Sequence, residues 1–274
     1  MGDRLAGRVV VITGSTRGIG RAMADACAAE GAAVVVSSRT AEAVAATVLE
    51  LEATGATVSG IACDVAIYAD LEALFAHAVE NHGHIDVWVN NAGMSLGLRR
   101  HVDTSPDEMR RIVDVNLIGT MVASGIVVPY FVERGRGVLI NVSGRGGRGD
   151  TAAFTAAYAA TKAAVMVFTK SLAAEHTSDP ISVLAFMPGM VDTDFYGESM
   201  QVSPDLADLV GNIRIVLDAI GTPIEAVGPA LVQAACTVPG EGTGRVHRAS
   251  SGMRGMTGGF KLMWARMTGR MKPM

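Results

Sequence analysis

Short apolar runs rich in valine and isoleucine alternate along this chain with longer alanine-rich segments whose apolar positions recur every three or four residues. The runs are Val9–Thr13, Ala33–Ser37, Thr57–Cys63, Ile85–Asn90, Gly137–Val142 and Ile181–Met187, with a weaker seventh at Gly244–Arg248. Segments such as Arg21–Glu30, Ala41–Thr54 and Leu71–Asn81 carry helical spacing. Strands that are apolar on both faces and separated by helices predict a parallel sheet covered on each side. Right-handed crossovers then give an α/β fold: one doubly wound, Rossmann-like parallel sheet of about seven strands with helices on both faces.

Two regions break the rhythm. Gly197–Gly221 is inserted between the sixth strand and the next helix, which places a substrate lid near 194–221. After Glu241 the chain carries seven Lys/Arg and no acidic residue. The expected organisation is therefore a dinucleotide-binding catalytic domain over 1–250 and a basic, methionine-rich tail over 251–274. In that tail Arg254, Lys261, Arg266, Arg270 and Lys272 interleave with Met253, Met256, Phe260, Leu262, Met263, Trp264 and Met267. This suits an amphipathic contact with a membrane or partner, although Gly252, Gly255, Gly258 and Gly259 interrupt helical continuity.

At 274 residues and 49% hydrophobic composition the chain can bury one large core. A net charge of −4 gives no basic footprint for nucleic acid. Three scattered cysteines (Cys27, Cys63, Cys236) argue against a disulfide framework or a zinc site and favour a reducing cytoplasm. No uninterrupted apolar run long enough to span a bilayer is present, so no membrane span is expected. His77, His82 and His84 lie at a helix end away from the carboxyl ends of the strands, where ligands bind in such sheets, and are expected to be solvated.

The first strand runs into Gly14-Ser15-Thr16-Arg17-Gly18-Ile19-Gly20 and then a helix. Glycines at a strand-to-helix turn let the backbone approach a pyrophosphate, and the helix N-terminus supplies N–H groups and positive dipole. The second strand ends Val36-Ser37-Ser38-Arg39, with no acidic residue to hold a ribose 2′-hydroxyl. Arg39 and Arg17 are placed to pair with a 2′-phosphate, and Ser37 or Ser38 to hydrogen-bond it, so NADP is the expected cofactor.

Thr13-Gly14-x-x-x-Gly18-Ile19-Gly20 is followed in order by Asp64-Val65, Asn90-Asn91-Ala92-Gly93, Asn116, Tyr158-x-x-x-Lys162 and Pro188-Gly189. This series over roughly 6–240 resembles the short-chain dehydrogenase/reductase family. The resemblance implies hydride transfer between NADP and a carbonyl or secondary alcohol. It also implies that Asp64 and Val65 meet the adenine, that the segment with Asn90, Ala92 and Gly93 supports the central sheet and lines the adenosine ribose, with Asn90 nearest the cofactor, and that Pro188, Gly189, Val191 and Thr193 follow the sixth strand along the cofactor.

Tyr158 and Lys162 are four apart and share one helix face. A nearby lysine cation favours a phenolate, which lets a tyrosine exchange a proton with a carbonyl or alcohol oxygen. By the resemblance Lys162 also holds the nicotinamide ribose and Asn116 anchors a water in a proton relay. The family's Asn-x-Ser-Ser reads Asn141-Val142-Ser143-Gly144 here, so the usual catalytic serine falls on Gly144. Either the glycine-rich turn re-aims Ser143 to share the work of Tyr158, which is the expectation taken here, or the serine role is lost. The alternative is a cofactor-binding protein with little turnover, serving as a regulatory or structural subunit. Met94, Leu96, Phe154, Met187, Met190, Phe195, Tyr196 and Met200 border the expected cleft and suit a lipophilic substrate. Helices over Pro106–Arg134 and Thr151–Ser178 are expected to pair across a twofold axis into a homodimer or homotetramer.

Overall fold

The computed structural model describes residues 2–193, 200–207 and 209–249, together with 261, 263, 264, 267 and 268. Seven parallel strands form one sheet: β1 (Val9–Ile12), β2 (Ala33–Ser38), β3 (Val58–Ala62), β4 (Val87–Asn90), β5 (Val138–Val142), β6 (Ser182–Met187) and β7 (Val246–Arg248). Their order is β3-β2-β1-β4-β5-β6-β7, so the direction of winding reverses between β1 and β4. The α-helices among the described residues are α1 (Gly18–Ala29), α2 (Ala41–Glu52), α3 (Tyr68–His82), α4 (Pro106–Val113), α5 (Gly119–Arg134), α6 (Ala156–Glu175), α7 (Leu209–Ile220) and α8 (Ile224–Ala235).

The pleat divides the core. In β1, Val10 and Ile12 face a cluster with Met23 of α1 and Val227 and Leu231 of α8. Val9 and Val11 face the other layer, with Leu71 and Leu74 of α3 and Val127 and Phe131 of α5. Burial on both faces is why the strands read as continuous apolar runs rather than as an alternation.

The segment Pro106–Arg134 is not one regular helix. Ser105 caps α4 reciprocally: its Oγ accepts from the Glu108 N–H (3.2 Å) and its own N–H donates to Glu108 Oε2 (3.0 Å). A π-helical turn at Asp114–Ile118 then joins α4 to α5 and carries Asn116. By length and hydropathy this joined helix could cross a membrane, but half of its most apolar window is buried inside the fold, as for a core helix packed on a sheet.

The inserted region holds a short 3₁₀ turn (Pro204–Leu206) and α7. Its start is strapped to the loop after β4, with the Leu98 N–H on the Gln201 carbonyl (2.8 Å) and the Ser203 N–H on the Leu98 carbonyl (2.9 Å). Arg99 reinforces the strap by donating to Gln201 Oε1 (2.6 Å) and Glu108 Oε1 (2.7 Å). Phe195 and Tyr196, and most of the tail, lie outside the described residues. Met263, Trp264 and Met267 in the tail are exposed.

The histidines correct one expectation. His77 and His82 are part-buried, both contacting Ser59 Oγ through Nε2 at 3.1 and 2.8 Å. His84 pairs with the buried Asp86 at 2.9 Å. Burial lowers His77 and His82 below the ordinary imidazole range. They form a polar seam on β3 rather than a solvated cluster.

Candidate active site

The glycine loop sits between β1 and α1 at the switch point. Gly14 (φ +65°) and Gly18 (φ +53°) hold conformations that side chains resist. A Cβ at Gly20 would lie 2.1 Å from the Gly14 carbonyl oxygen, so the loop and α1 touch as only glycine allows. No acidic residue lies in the first turn of α1, leaving its N–H groups and dipole for an anion. This cradle fits a dinucleotide pyrophosphate.

Several residues expected at the cofactor are instead internal fasteners. Ser15 is fully buried: its Oγ donates to the Ile12 carbonyl (2.8 Å) and accepts from the Ser37 N–H (3.0 Å). Ser37 is itself buried and faces the same carbonyl (3.5 Å), while the half-buried Ser38 donates to the Thr40 carbonyl (3.3 Å). Asn90 is 5% exposed; it bridges Trp88 Nε1 (2.8 Å), Asn141 Oδ1 (2.9 Å) and Ser124 Oγ (3.3 Å). Its side chain holds β4 to β5 and α5 rather than lining the ribose.

Asn91, which the sequence did not single out, does the stitching. Its Nδ2 donates to the Thr13 and Gly14 carbonyls (2.9 and 3.0 Å), while Thr13 Oγ1 accepts from the N–H groups of Asn91 and Ala92 (3.0 Å each). Ala92 thereby packs on Gly14, where a Cβ would lie 3.0 Å from its Cα. Its place inside the Asn-Asn-Ala-Gly motif was the available signal.

At the adenine end, Asp64 accepts from Arg111 Nη2 (2.6 Å) and, through Oδ1, from the Ala66 N–H (3.1 Å). Burial raises the Asp64 carboxyl, but these hydrogen bonds and nearby Arg39 outweigh it and hold the group below the usual carboxylate range. Arg111 had no sequence signal. Exposed Arg39 lies near this carboxylate, exposed Arg17 precedes α1, and Val65 is buried. Across the cradle, Thr16 and Ile19 are half-buried, Thr193 stands over Gly18, and the backbone turns through Pro188, Gly189 (φ +85°) and buried Val191.

Tyr158 and Lys162 lie on one face of α6 beside the end of β5. Lys162 is 4% exposed, donates from Nζ to the Val142 carbonyl (3.0 Å) and lies 5.9 Å from the Tyr158 ring centroid. Burial pushes this ammonium down to about 8. Asn116 is fully buried; its side chain pairs with both backbone groups of Met94 (2.7 and 3.0 Å) and donates to Thr161 Oγ1 (3.1 Å). A Cβ on exposed Gly93 would sit 3.4 Å from Asn116 Oδ1 and 3.5 Å from Lys162 Nζ, which places these groups around one point.

Ser143 is not re-aimed. It is 2% exposed and its Oγ donates to the Lys162 backbone carbonyl at 2.9 Å. Successive residues face opposite ways at a strand end, so Gly144 is the one facing the phenol, and a Cβ there would lie 2.6 Å from the Tyr158 hydroxyl oxygen. Ser143→Ala should leave kcat within about threefold and cost about 1 kcal/mol of stability, the net worth of one hydrogen bond. Gly144→Ser should lower kcat, because the new side chain displaces the phenol. Steady-state kinetics and urea unfolding check both; a rate gain in the serine variant would contradict this geometry.

A glycine cradle at the switch point of a seven-stranded parallel sheet, with a tyrosine–lysine pair at the end of β5, defines an α/β oxidoreductase of the nucleotide-dependent kind. Comparison with known proteins agrees. The family model for short chain dehydrogenase matches residues 8–202. The short-chain reductase protein NovJ of Streptomyces niveus is 38% identical over 220 residues, 80% of each chain. The structure of an actinorhodin polyketide ketoreductase variant with NADPH superposes with TM-score 0.78 at 28% identity, covering 93% of this chain and 99% of that one. A 3-ketoacyl-(acyl-carrier-protein) reductase from Brucella melitensis with NADH gives 0.79 at 27% identity, covering 91% and 99%. The chain belongs to the short-chain dehydrogenase family, whose members use a nicotinamide cofactor on small-molecule substrates.

Proposed function

We propose that the protein is an NADP(H)-dependent oxidoreductase interconverting a carbonyl and a secondary alcohol on a lipophilic small molecule. The observation that carries this is the Tyr158 hydroxyl at the end of β5 with the buried Lys162 ammonium 5.9 Å from its ring. The bound nicotinamide supplies or accepts hydride. Tyr158 exchanges the proton with the substrate oxygen. Lys162 keeps positive charge beside the phenol and would hold the nicotinamide ribose when the cofactor binds, and Asn116 fixes the Met94 backbone beside it. The assembled Tyr158, Lys162 and Asn116 weigh against a subunit without turnover. Half-buried Met94, Leu96, Phe154, Met187, Met190 and Met200 supply apolar walls.

NADP is the cofactor this reading favours. No carboxylate ends β2, and the exposed Arg39 that follows it carries the charge a 2′-phosphate would pair with. NADPH should bind at least about tenfold tighter than NADH, and Arg39→Ala should erase most of that preference, since a charge-assisted contact is worth about 1.5–3 kcal/mol. Fluorescence titration of both cofactors decides it, with equal affinities in the parent protein ruling the preference out.

The homo-oligomer also belongs to this reading. Val113, Ile118, Met121 and Val132 on α4–α5 and Val167 on α6 are exposed apolar residues on the two helical segments expected to pair. Three free thiols suit the reducing cytoplasm proposed as its location.

A further inference from the structure

The ends of β2 and β3 carry opposite charges side by side. Ser38 pairs with Ala62 across the two strands and its carbonyl accepts from the Cys63 N–H (2.8 Å), so Arg39 and Asp64 leave the sheet as neighbours. Arg39 is exposed and its guanidinium donates no hydrogen bond among the described residues; it meets the Asp64 carboxylate only at longer range. An arginine beside a carboxylate ordinarily closes on it in a charge-assisted pair. Here it does not.

The reason is a third residue. Asp64 is claimed by Arg111 of α4, whose Nη2 lies 2.6 Å from Oδ2, with the arginine side chain 37% and the aspartate 21% exposed. Oδ1 accepts from the Ala66 N–H (3.1 Å), and the Asp64 N–H donates to Asp70 Oδ2 (2.9 Å), so the carboxylate and its turn are held from both sides. The preceding Arg110 takes no part, because it pairs with Asp107 of its own helix (2.8 Å). Nor does Arg111 serve to start α4, which Ser105 and Glu108 already cap.

We propose that Arg111 is a specificity-determining positioning residue for the cofactor: by engaging Asp64 it leaves Arg39 for the 2′-phosphate and offsets a carboxylate that would repel that phosphate. A phosphate monoester carries about −1.5 to −2 charge at pH 7. Brought to Arg39, it comes within the field of Asp64, a like charge that opposes it. Without Arg111 two changes act in the same direction. Arg39 closes on Asp64 and is withdrawn from the phosphate, and any Asp64 charge left over stands uncompensated. A cofactor with a plain 2′-hydroxyl is indifferent to both, so the effect falls on NADPH and spares NADH. A residue that merely fastened α4 to the sheet would change the two affinities together.

This role rests on the NADP reading above, and one set of titrations separates the two. Dissociation constants for NADPH and NADH are measured by fluorescence on the parent protein and on Arg111→Met, Arg111→Lys, Asp64→Asn and the Arg111→Met/Asp64→Asn double variant. Arg111→Met should lower the preference for NADPH over NADH about three- to fivefold, the bias that one part-exposed ion pair exerts. Arg111→Lys should keep most of the preference, because the charge survives. Asp64→Asn alone should raise it, and the double variant should return to the parent ratio or above, since Arg39 then has no carboxylate to close on. Contacts that both cofactors share cancel in the ratio. A preference unmoved by Arg111→Met, a double variant as unselective as Arg111→Met, or a ratio lowered by Asp64→Asn overturns the role of Arg111 while the NADP reading stands. Equal affinities in the parent protein remove the NADP reading and this role with it.

Discussion

Tyr158→Phe lowers kcat by at least about 100-fold while the NADPH dissociation constant changes by less than about threefold. Proton transfer by a positioned side chain contributes about 10²–10⁴ in rate, and no serine assists at position 144 to soften the loss. The phenol packs over Gly144 rather than inside the glycine cradle, so removing its oxygen leaves the cradle's geometry intact. Single-turnover kinetics and cofactor titration give the two numbers. Turnover retained in the phenylalanine variant would end the mechanistic reading and leave only a nucleotide-binding fold.

Lys162→Met moves stability and activity in opposite directions. Burial holds the Lys162 ammonium down to about 8 from its ordinary 10.5, so the folded protein binds this proton less tightly than the unfolded chain. Between those values the unfolded state carries the extra proton, and stability gained from this site rises with pH through that window. Below about pH 8 both states are protonated and the cost of the buried charge is felt in full. At pH 7 the methionine variant should therefore be more stable in urea by on the order of 2 kcal/mol, less what the orphaned Val142 carbonyl takes back. The gap should shrink toward pH 10, while turnover is lost throughout. A variant less stable than the parent at pH 7, or a gap indifferent to pH, would contradict the assignment.

The sheet was legible because burial on both faces leaves most strands few polar positions, so each run announced itself, and the glycine loop was legible because its spacing has a steric cause. What escaped was whatever depends on three-dimensional partners. Ser15, Ser37 and Asn90 have the chemistry of ligand contacts, but backbone carbonyls claim the two serines and the Asn141, Ser124 and Trp88 side chains claim Asn90 first. Arg111 reaches Asp64 across 47 residues, which no local spacing reveals. The π-helical turn carrying Asn116 sits inside a segment with ordinary helical periodicity, since one extra residue per turn leaves little trace in an apolar pattern. Ser143 failed for a reason the sequence did contain: one step along a strand reverses the face.

The packing of Tyr158 on Gly144 also bears on how such a protein changes over generations. A serine at 144 alone meets the phenol, and any side chain at Gly147 would meet Ser143 Oγ at 2.2 Å. The turn is thus a set of mutually dependent choices, each harmful to alter alone. A lineage carrying these glycines is held there by its own neighbours. Libraries that vary one position at a time will not recover the serine; a library that varies 143, 144 and 147 together, with the residues packed around Tyr158, has a route to it.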